Sequence, residues 1–583
     1  MVNIVQRSFS AASVTTLTAS GVSPALARIL AARGIETPSQ LESSLSGLIA
    51  PEKLTNSAPM ANLLADAIAQ EKSLLIIGDY DADGATATAV AVRGLRSMGA
   101  QVDYLVPNRF EYGYGLTPEI VALAATRSPD IIITVDNGIA SVDGVRAANS
   151  LGIAVLVTDH HLPGDELPQA ACILNPNQHG CDFPSKNLAG VGVIFYALLA
   201  LRAELRQRGR FADKSEPNLT ELLDLVALGT VADLVRLDDN NRILVEQGLR
   251  RIRAGKCCPA ISALLKLAGR DSARTGAQDL GFSVGPRLNA AGRLDDMSLG
   301  IACLLEDDEA EAQRMAQLLN ELNLARRNIE AEMQDTAAMA LEEIDCTGRY
   351  SLSLYNAEWH QGVIGILASR IKERYHRPVI AFARAGETGA DGKPQLKGSG
   401  RSISGLHLRD ALDLLSKRQP DLLLRFGGHA MAAGLTIHET EFERFNAAFE
   451  AVVASLLTPA DLESVIEVDG QLDVHDIHLE MASALERQVW GQGFPQPAFC
   501  DTFSVVEQHV VGGRHLKMTL AKQGRRFDAI FFQQQEFLPK DILAVYQLQT
   551  NQYNGVQSVQ LCLRHWQAVS RRSCTLTVWR GTR

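Results

Sequence analysis

The chain has 583 residues, 46% hydrophobic and 21% charged, which excludes a disordered polymer and predicts three or four globular domains. Its net charge of −11 and sequence pI of about 5.7 count against a nucleic-acid partner, although a local basic groove can coexist with an acidic exterior. No apolar run reaches about 18 residues and the N-terminus lacks a secretory core; nine cysteines form no CxxC, so a reduced, cytoplasmic protein without zinc or disulfides is expected.

Residues 1–50 read as helical, with SPALARILAARGI amphipathic, and carry no chemistry. The first informative stretch is SLLIIGDYDADGATATAVAV, from Ser73. Asp79, Asp81 and Asp83 follow a short apolar strand and precede a helix with small residues on its packing face. Three carboxylates this close raise one another's pKa unless a positive group lies among them. An EF-hand loop begins in the same way, but its twelfth position would be Val90, where a bidentate glutamate is required. A helix N-terminus stabilises one such carboxylate, hardly three.

The pattern recurs along the chain. PDIIITVDNGIAS ends a strand at Asp136; GIAVLVTDHHLPG delivers Asp159, His160 and His161; DLVALGTVADLVRL places Asp233 after a further apolar run. Each alone would be a turn former or cap. Together they predict four strand ends presenting carboxylates and imidazoles at one edge of a parallel sheet, where open α/β folds place their sites. Mixed carboxylate and imidazole donors without thiolate suit Mn²⁺ or Mg²⁺. Their number exceeds the needs of one ion, and a pair about 3.5–4 Å apart suits phosphoryl displacement.

GDYDADG, TVDNG, TDHH and GTVADLV together resemble the DHH phosphoesterase superfamily, whose eponymous motif is Asp159-His160-His161 here. LAGVGVIFYALLALR from Leu188 is similar to the glycine-bearing helix of the same domain, and GPRLNAAGRLDD from Gly285 to the motif that closes it. EWHQGVIGILASRI, GSGRSISGLHL and FGGHAMAAGLTI resemble the associated DHHA1 domain. The resemblance spans about Leu74 to Ile437. It is closest to the superfamily's 5′→3′ exonucleases specific for single-stranded DNA, which act in repair and recombination. It implies Asp79, Asp81, Asp83, Asp136, His160 and Asp233 as ligands of two Mg²⁺ or Mn²⁺ ions. Asp136 would bridge them, with Asp79 a ligand or a close supporting group. Asp159 would orient an imidazole and His161 would face the scissile phosphate. Asp136, Asp159, His160 and His161 thus form the expected catalytic set.

Substrate contacts are expected from Arg287, Asn289, Arg401, His429 and the backbone of Gly427 and Gly428, all within the family motifs. Alone, the glycine-rich FGGHAMAAG fits tight helix packing as well as a phosphate-binding turn, and Arg401 reads as a surface arginine on a loop. Trp359 reads as core more than as a stacking platform. Residues 306–344 lack Gly and Pro and predict a long connecting helix with a solvated charged face.

Beyond Pro459, short strands with the turns KQGR and YNG predict an OB-type barrel. Arg514, His515, Lys517, Lys522, Arg525, Arg526 and Phe527 within it suit tracking of a strand. The expected organisation is α/β and multidomain: a helical segment (1–50), a parallel-sheet DHH catalytic domain (51–305), the connecting helix (306–344), a smaller α/β DHHA1 domain (345–458) and the OB-type domain with its tail (459–583). Expected partners are single-stranded DNA and replication or repair proteins such as a single-strand-binding protein and a helicase; the expected state is a monomer off the membrane. Two rivals remain at this level. A nucleotide phosphatase or manganese pyrophosphatase of the superfamily would lack the helix and OB extension. A non-catalytic strand-binding scaffold would have lost ligands that are intact here.

Overall fold

The computed structural model describes residues 2–107, 115–342, 348–388, 392–553, 555–569 and 577–578. The chain forms two compact units. One contains Val5–Asn320 and the chain from Glu467 onward; the other contains Glu321–Ile466 with the first residues.

The first unit is built on a five-stranded parallel sheet. After β1 (Asn3–Gln6), its strands are β2 (Ser73–Gly78), β3 (Gln101–Leu105), β4 (Ile131–Val135), β5 (Ala154–Thr158) and β6 (Cys172–Leu174), in the order β3-β2-β4-β5-β6. β4 (IIITV) is buried at every residue, as expected of a strand covered on both faces. On one face Ile77, Ile132 and Val155 pack with Ile120, Val121 and Val145. Because the strands run in parallel, the loops after β2, β4 and β5 emerge at one edge.

Two expectations need correcting. The apolar run before Asp233 is a helix, Leu223–Ala232, buried from Leu223 to Thr230, so three strand ends and one helix end supply the acidic groups. A short apolar run buried on every side shows no period that separates strand from helix. The N-terminal segment opens on a strand, β1, before its helices Ala11–Ala19 and Pro24–Ala31.

The same unit carries a closed barrel. After β12 (Val465–Val468) it comprises β13 (Phe499–Val511), β14 (His515–Lys522), β15 (Arg525–Phe531), β16 (Asp541–Tyr553) and β17 (Val556–Ala568), in the order β13-β14-β15-β17-β16. Gln523 and Gly524, both at positive φ, form the two-residue turn between β14 and β15, the geometry that matches strand twist. Part of the basic-aromatic set is structural. Phe527 lies in the barrel core; Lys522 donates to Asp501 at 2.7 Å and Arg525 to the Val474 carbonyl at 2.9 Å. Arg514, Arg526, Phe532 and Phe537 remain exposed. The segment leading into the barrel is joined to the sheet domain: Leu237 N–H donates to the Gln492 carbonyl at 2.8 Å, and the Arg242 guanidinium lies 4.3 Å from the Phe494 ring centroid.

In the second unit, β7 (Leu352–Tyr355), β8 (Val379–Thr388), β9 (Pro394–Arg401), β10 (Arg425–Gly428) and β11 (Ala432–His438) form a mixed sheet ordered β10-β11-β9-β8-β7. Its core centres on Phe382, Phe445 and Phe449; the Phe382 and Phe445 rings meet edge to face at 5.1 Å. FGGHAMAAGLTI is thus a hairpin, and Arg401 ends a strand. Trp359 is buried, as expected. The long helix runs Glu309–Glu342. Its Glu330 departs from the solvated face: it is buried and bridges Arg326 at 2.8 Å and Arg370 at 3.0 Å.

The opening segment has an architectural task. Arg33 donates to both carboxylate oxygens of Asp469, at 2.7 and 3.0 Å, and to the Pro495 and Ile29 carbonyls, at 2.7 Å each. Both side chains are essentially sealed from solvent, at 0% and 1% exposure. Truncating one partner strands a buried charge. Arg33→Ala is therefore expected to destabilise this unit by about 3–5 kcal/mol, read by urea unfolding; a loss below about 1 kcal/mol, the scale of a surface pair, would show the bridge to be exchangeable with solvent.

Candidate metal centre

The acidic loop after β2 folds back on its own helix, Ala82–Ser97. Asp81 caps it, accepting from Gly84 N–H at 3.0 Å, as short polar side chains do at helix starts. Asp83, in the first turn, reaches a second helix: its two oxygens accept from Gly190 N–H at 2.6 Å and Val191 N–H at 3.0 Å. These are orphan donors at the start of Gly190–Gln207.

Asp136 follows β4 with φ of 62°, a left-handed conformation uncommon outside glycine. Its N–H is held by the Thr158 carbonyl at 3.0 Å. Asn137 Nδ2 ties the Ile77 and Val135 carbonyls, at 3.1 and 2.9 Å. After β5, Asp159 organises the histidine pair. It accepts from the backbone of Ile139, His160 and His161 and from His161 Nδ1 at 2.8 Å. Asn177 and Asn175 hold the carbonyls of His160 and His161, at 2.6 and 2.9 Å. His160 Nε2 lies 3.1 Å from Asp136 Oδ1 and 3.6 Å from Asp233 Oδ2.

Ligand-type atoms fall into three groups, each within 4.8 Å: Asp79, Asp81 and Asp136; Asp83, His160 and Asp233; Asp136, His160 and His161. Seven of the eight sequence-selected residues at these loops fall in these groups, Asp136 and His160 each in two, while Asp159 stands behind them on His161. Electrostatics marks the same place. Burial, then the Asp81 charge, pushes Asp83 up to about 7. Burial, then the neighbouring carboxylates, raises Asp136 and Asp233 well above the carboxylate range. Burial opposes ionisation of Asp159, but its hydrogen bond and charge contact with His161 hold it below the usual value. The same pair outweighs burial of His161 and raises that imidazole to about 9. Asp136 Oδ1 is buried without a hydrogen-bond donor. A buried oxygen of this kind among mutually repelling carboxylates fits a divalent cation with oxygen and imidazole ligands.

The remaining selected residues divide. Asn289 Oδ1 accepts from Ala82 N–H at 2.8 Å, bracing the acidic loop. Arg287 donates to the Ser283 carbonyl at 2.5 Å and to Asn320 Oδ1 at 3.0 Å. In the second unit, Arg401 donates to the Gly400 carbonyl at 2.8 Å and lies against the first turn of Ile364–Tyr375, where a Cβ on Gly365 would come 2.9 Å from its Nη2. It pairs with Ala432 in register, beside the turn that holds His429, whose N–H donates to the Ala432 carbonyl at 2.8 Å. Gly428 has φ of 144°, so Gly427, Gly428, His429 and Arg401 share one corner of that sheet.

Residues 73–230 match the model of the DHH family N-terminal domain, 348–455 the DHHA1 domain and 468–565 the RecJ OB domain. A relative from Dickeya dadantii (strain 3937), named single-stranded-DNA-specific exonuclease RecJ, is 52% identical over 554 residues, 93% of this chain and 95% of its own. The chain belongs to the RecJ family. The crystal structure of RecJ in complex with Mn²⁺ from Thermus thermophilus superposes with a TM-score of 0.81 at 30% identity, covering 97% of this chain and 79% of that one. Its counterpart with Mg²⁺ gives 0.75 at 28%, covering 97% and 78%.

This RecJ-family chain also depends on residues that motif reading passed over. A Cβ on Gly190 would come 2.5 Å from Asp136 Cβ and Oδ1; one on Gly229 would meet Thr86 Oγ1 at 2.2 Å and Asp83 Oδ1 at 2.8 Å. The glycines in LAGVG and ALGTV were the visible signal, but only the fold shows what they admit. Gly190→Ala is expected to push Asp136 from its place and to lower Mn²⁺ affinity by about 10–100-fold, the scale for disturbing a ligand's support. Calorimetric titration checks this, with circular dichroism to establish folding; unchanged affinity would remove Asp136 from the metal set.

Proposed function

We propose that this chain is a divalent-metal-dependent exonuclease that degrades single-stranded DNA 5′→3′ by phosphodiester hydrolysis. The observation that carries the reading is the meeting of Asp79, Asp81, Asp83, Asp136, His160, His161 and Asp233 in overlapping groups joined by Asp136 and His160. The printed name of the Dickeya relative and the Mn²⁺ and Mg²⁺ in the Thermus structures support substrate and metal. The family resemblance supplies the polarity, the role in repair and recombination, the partner proteins and the monomeric state.

Two ions are proposed, held by Asp79, Asp81, Asp83, Asp136, His160 and Asp233, with Asp136 common to both. Bound there, Mg²⁺ or Mn²⁺ supplies Lewis acidity at the attacking and leaving oxygens of the phosphoryl transfer. The chain's own groups do the rest. Asp159 fixes the His161 ring by Nδ1 and favours its cationic form, so that Nε2 serves as a donor to charge developing on the scissile phosphate. Arg401, largely buried and without a carboxylate partner among the described residues, receives a backbone phosphate with Gly427, Gly428 and His429. In the first unit, Arg287 and Asn289, the latter bracing the acidic loop, are further proposed substrate contacts. On the barrel, Arg514, Lys517 and Arg526 neutralise phosphates, while Phe532 and Phe537 offer faces to bases.

The direct test is degradation of single strands labelled at the 5′ or the 3′ end, with Mn²⁺ and with chelator. Metal-dependent loss of the 5′ label first is expected; 3′-first loss overturns the polarity, and inert strands overturn the function.

The histidines separate in their response to metal. His160→Ala is expected to lower Mn²⁺ affinity, with excess Mn²⁺ restoring part of the activity. His161→Ala is expected to keep metal binding and lose about 10²–10³-fold in turnover, beyond rescue by metal. Mn²⁺ titration beside single-turnover cleavage distinguishes them; the opposite pattern means the assignments are reversed.

A further inference from the structure

Leu234 and Phe282 are anomalous surface residues. Leu234 directly follows the proposed ligand Asp233, is 64% exposed and has φ of 61°. It ends the helix Leu223–Ala232, its N–H donating to the Val231 carbonyl at 3.3 Å, where glycine is the usual residue and a bulky side chain is an outlier. Phe282 is 77% exposed and lies in a π-helical turn, Leu280–Val284, a feature that recurs at functional sites.

The two belong to one seam. A Cβ on Gly281 would lie 3.1 Å from Val231 Cγ1, and one on Gly285 3.3 Å from Ala232 Cβ. The π turn therefore seats directly on the helix end that presents Asp233 and Leu234. The following helix, Gly285–Leu294, closes on the acidic loop. Asn289 accepts from Ala82 N–H, and Gly292 approaches so closely that a Cβ there would meet the Tyr80 carbonyl. Phe282 thus projects from a segment clamped at both ends to ligand-bearing loops. Single exposed apolar residues need no explanation. An exposed leucine directly after Asp233 and an exposed phenylalanine on the turn that packs against that helix end do.

We propose that Leu234 and Phe282 form an apolar platform that takes the base of a nucleotide next to the scissile phosphate. The inference rests on the single-strand nuclease reading. An apolar, uncharged surface suits a base because every base has a π face, so a stacking contact fixes the strand without reading its sequence. The carboxylate-rich centre beside it handles the phosphate, and the platform supplies the register along the strand that a metal site alone lacks.

The test compares two 5′-phosphorylated oligothymidylates, one intact and one with abasic tetrahydrofuran units at its first three positions. For the wild type, kcat/KM is expected to be roughly 10–100-fold higher on the intact strand, the worth of about one stacked base. Phe282→Ala is expected to collapse that ratio toward one, and Phe282→Trp to preserve it. Leu234→Gly removes the side chain and relieves the positive φ; it is expected to lower the ratio while the melting temperature holds or rises, which a purely structural leucine would not show. If Phe282→Ala slows both strands equally, or neither, the platform is wrong. If the wild type cleaves neither strand, the nuclease reading itself has failed.

Discussion

The repulsion among five carboxylates organises the catalytic half of this protein. Asp79, Asp81, Asp83, Asp136 and Asp233 are brought together by loops after two strands and by a helix end, and burial strengthens each charge's effect on the next. Without a cation the cluster is a liability of several kcal/mol, which the rest of the unit must absorb. Binding of metal to the folded state alone returns stability as RT ln(1 + [L]/Kd), so occupancy and folding are linked here. The glycines follow from the same constraint. A Cβ on Gly84 would come 2.5 Å from the Asp79 carbonyl, and one on Gly78 2.2 Å from Thr88 Oγ1. The first acidic loop folds onto its own helix only because these positions carry no side chain.

The barrel obeys a different rule, division of labour among cations. Lys522 is drawn inward by Asp501, which also accepts from Tyr546 at 2.8 Å, and Arg525 is committed to a carbonyl. Their charges stabilise the barrel against its own segment at 472–474. Arg514 and Arg526 have no such anchor among the contacts described and stay in water. A basic stretch thus serves two purposes, separated residue by residue, and net charge records neither. In a chain of −11, Arg514 and Arg526 are exposed on the barrel beside exposed Glu507 and Asp528.

The sequence made the parallel sheet, the barrel and the converging acidic residues legible because each rests on local signals: short apolar runs, glycine turns and carboxylates directly after strands. It misread what depends on distant neighbours. The run before Asp233 is apolar on every side because it is buried on every side, which erases the period that would mark a helix. Arg401 reads as a loop arginine since its flanking glycines signal turns, whereas those glycines admit neighbours: a Cβ on Gly398 would meet the Phe382 ring at 2.6 Å. Phe527 reads as a stacking face, but strand alternation turns it inward. Arg33 gave no signal, because its partner Asp469 lies 436 residues away.

Two of the left-handed non-glycine residues lie at the metal centre. Asp136 and Leu234 both hold left-handed backbone, each at a cost of about 1–3 kcal/mol against a net stability of about 5–15 kcal/mol for a typical domain. For Asp136 the compensation is visible in place: its N–H is bonded to Thr158, Asn137 pins the adjoining strands, and aspartate tolerates this region better than most residues. Leu234 is held as a helix end is: it directly follows the C-cap Asp233, and its N–H donates to the Val231 carbonyl at 3.3 Å, a place usually taken by glycine. Its side chain is exposed, it is not among the residues that adopt this conformation readily, and glycine would serve the turn better. The platform proposed beside Asp233 gives that exposed side chain a task its own fold does not require.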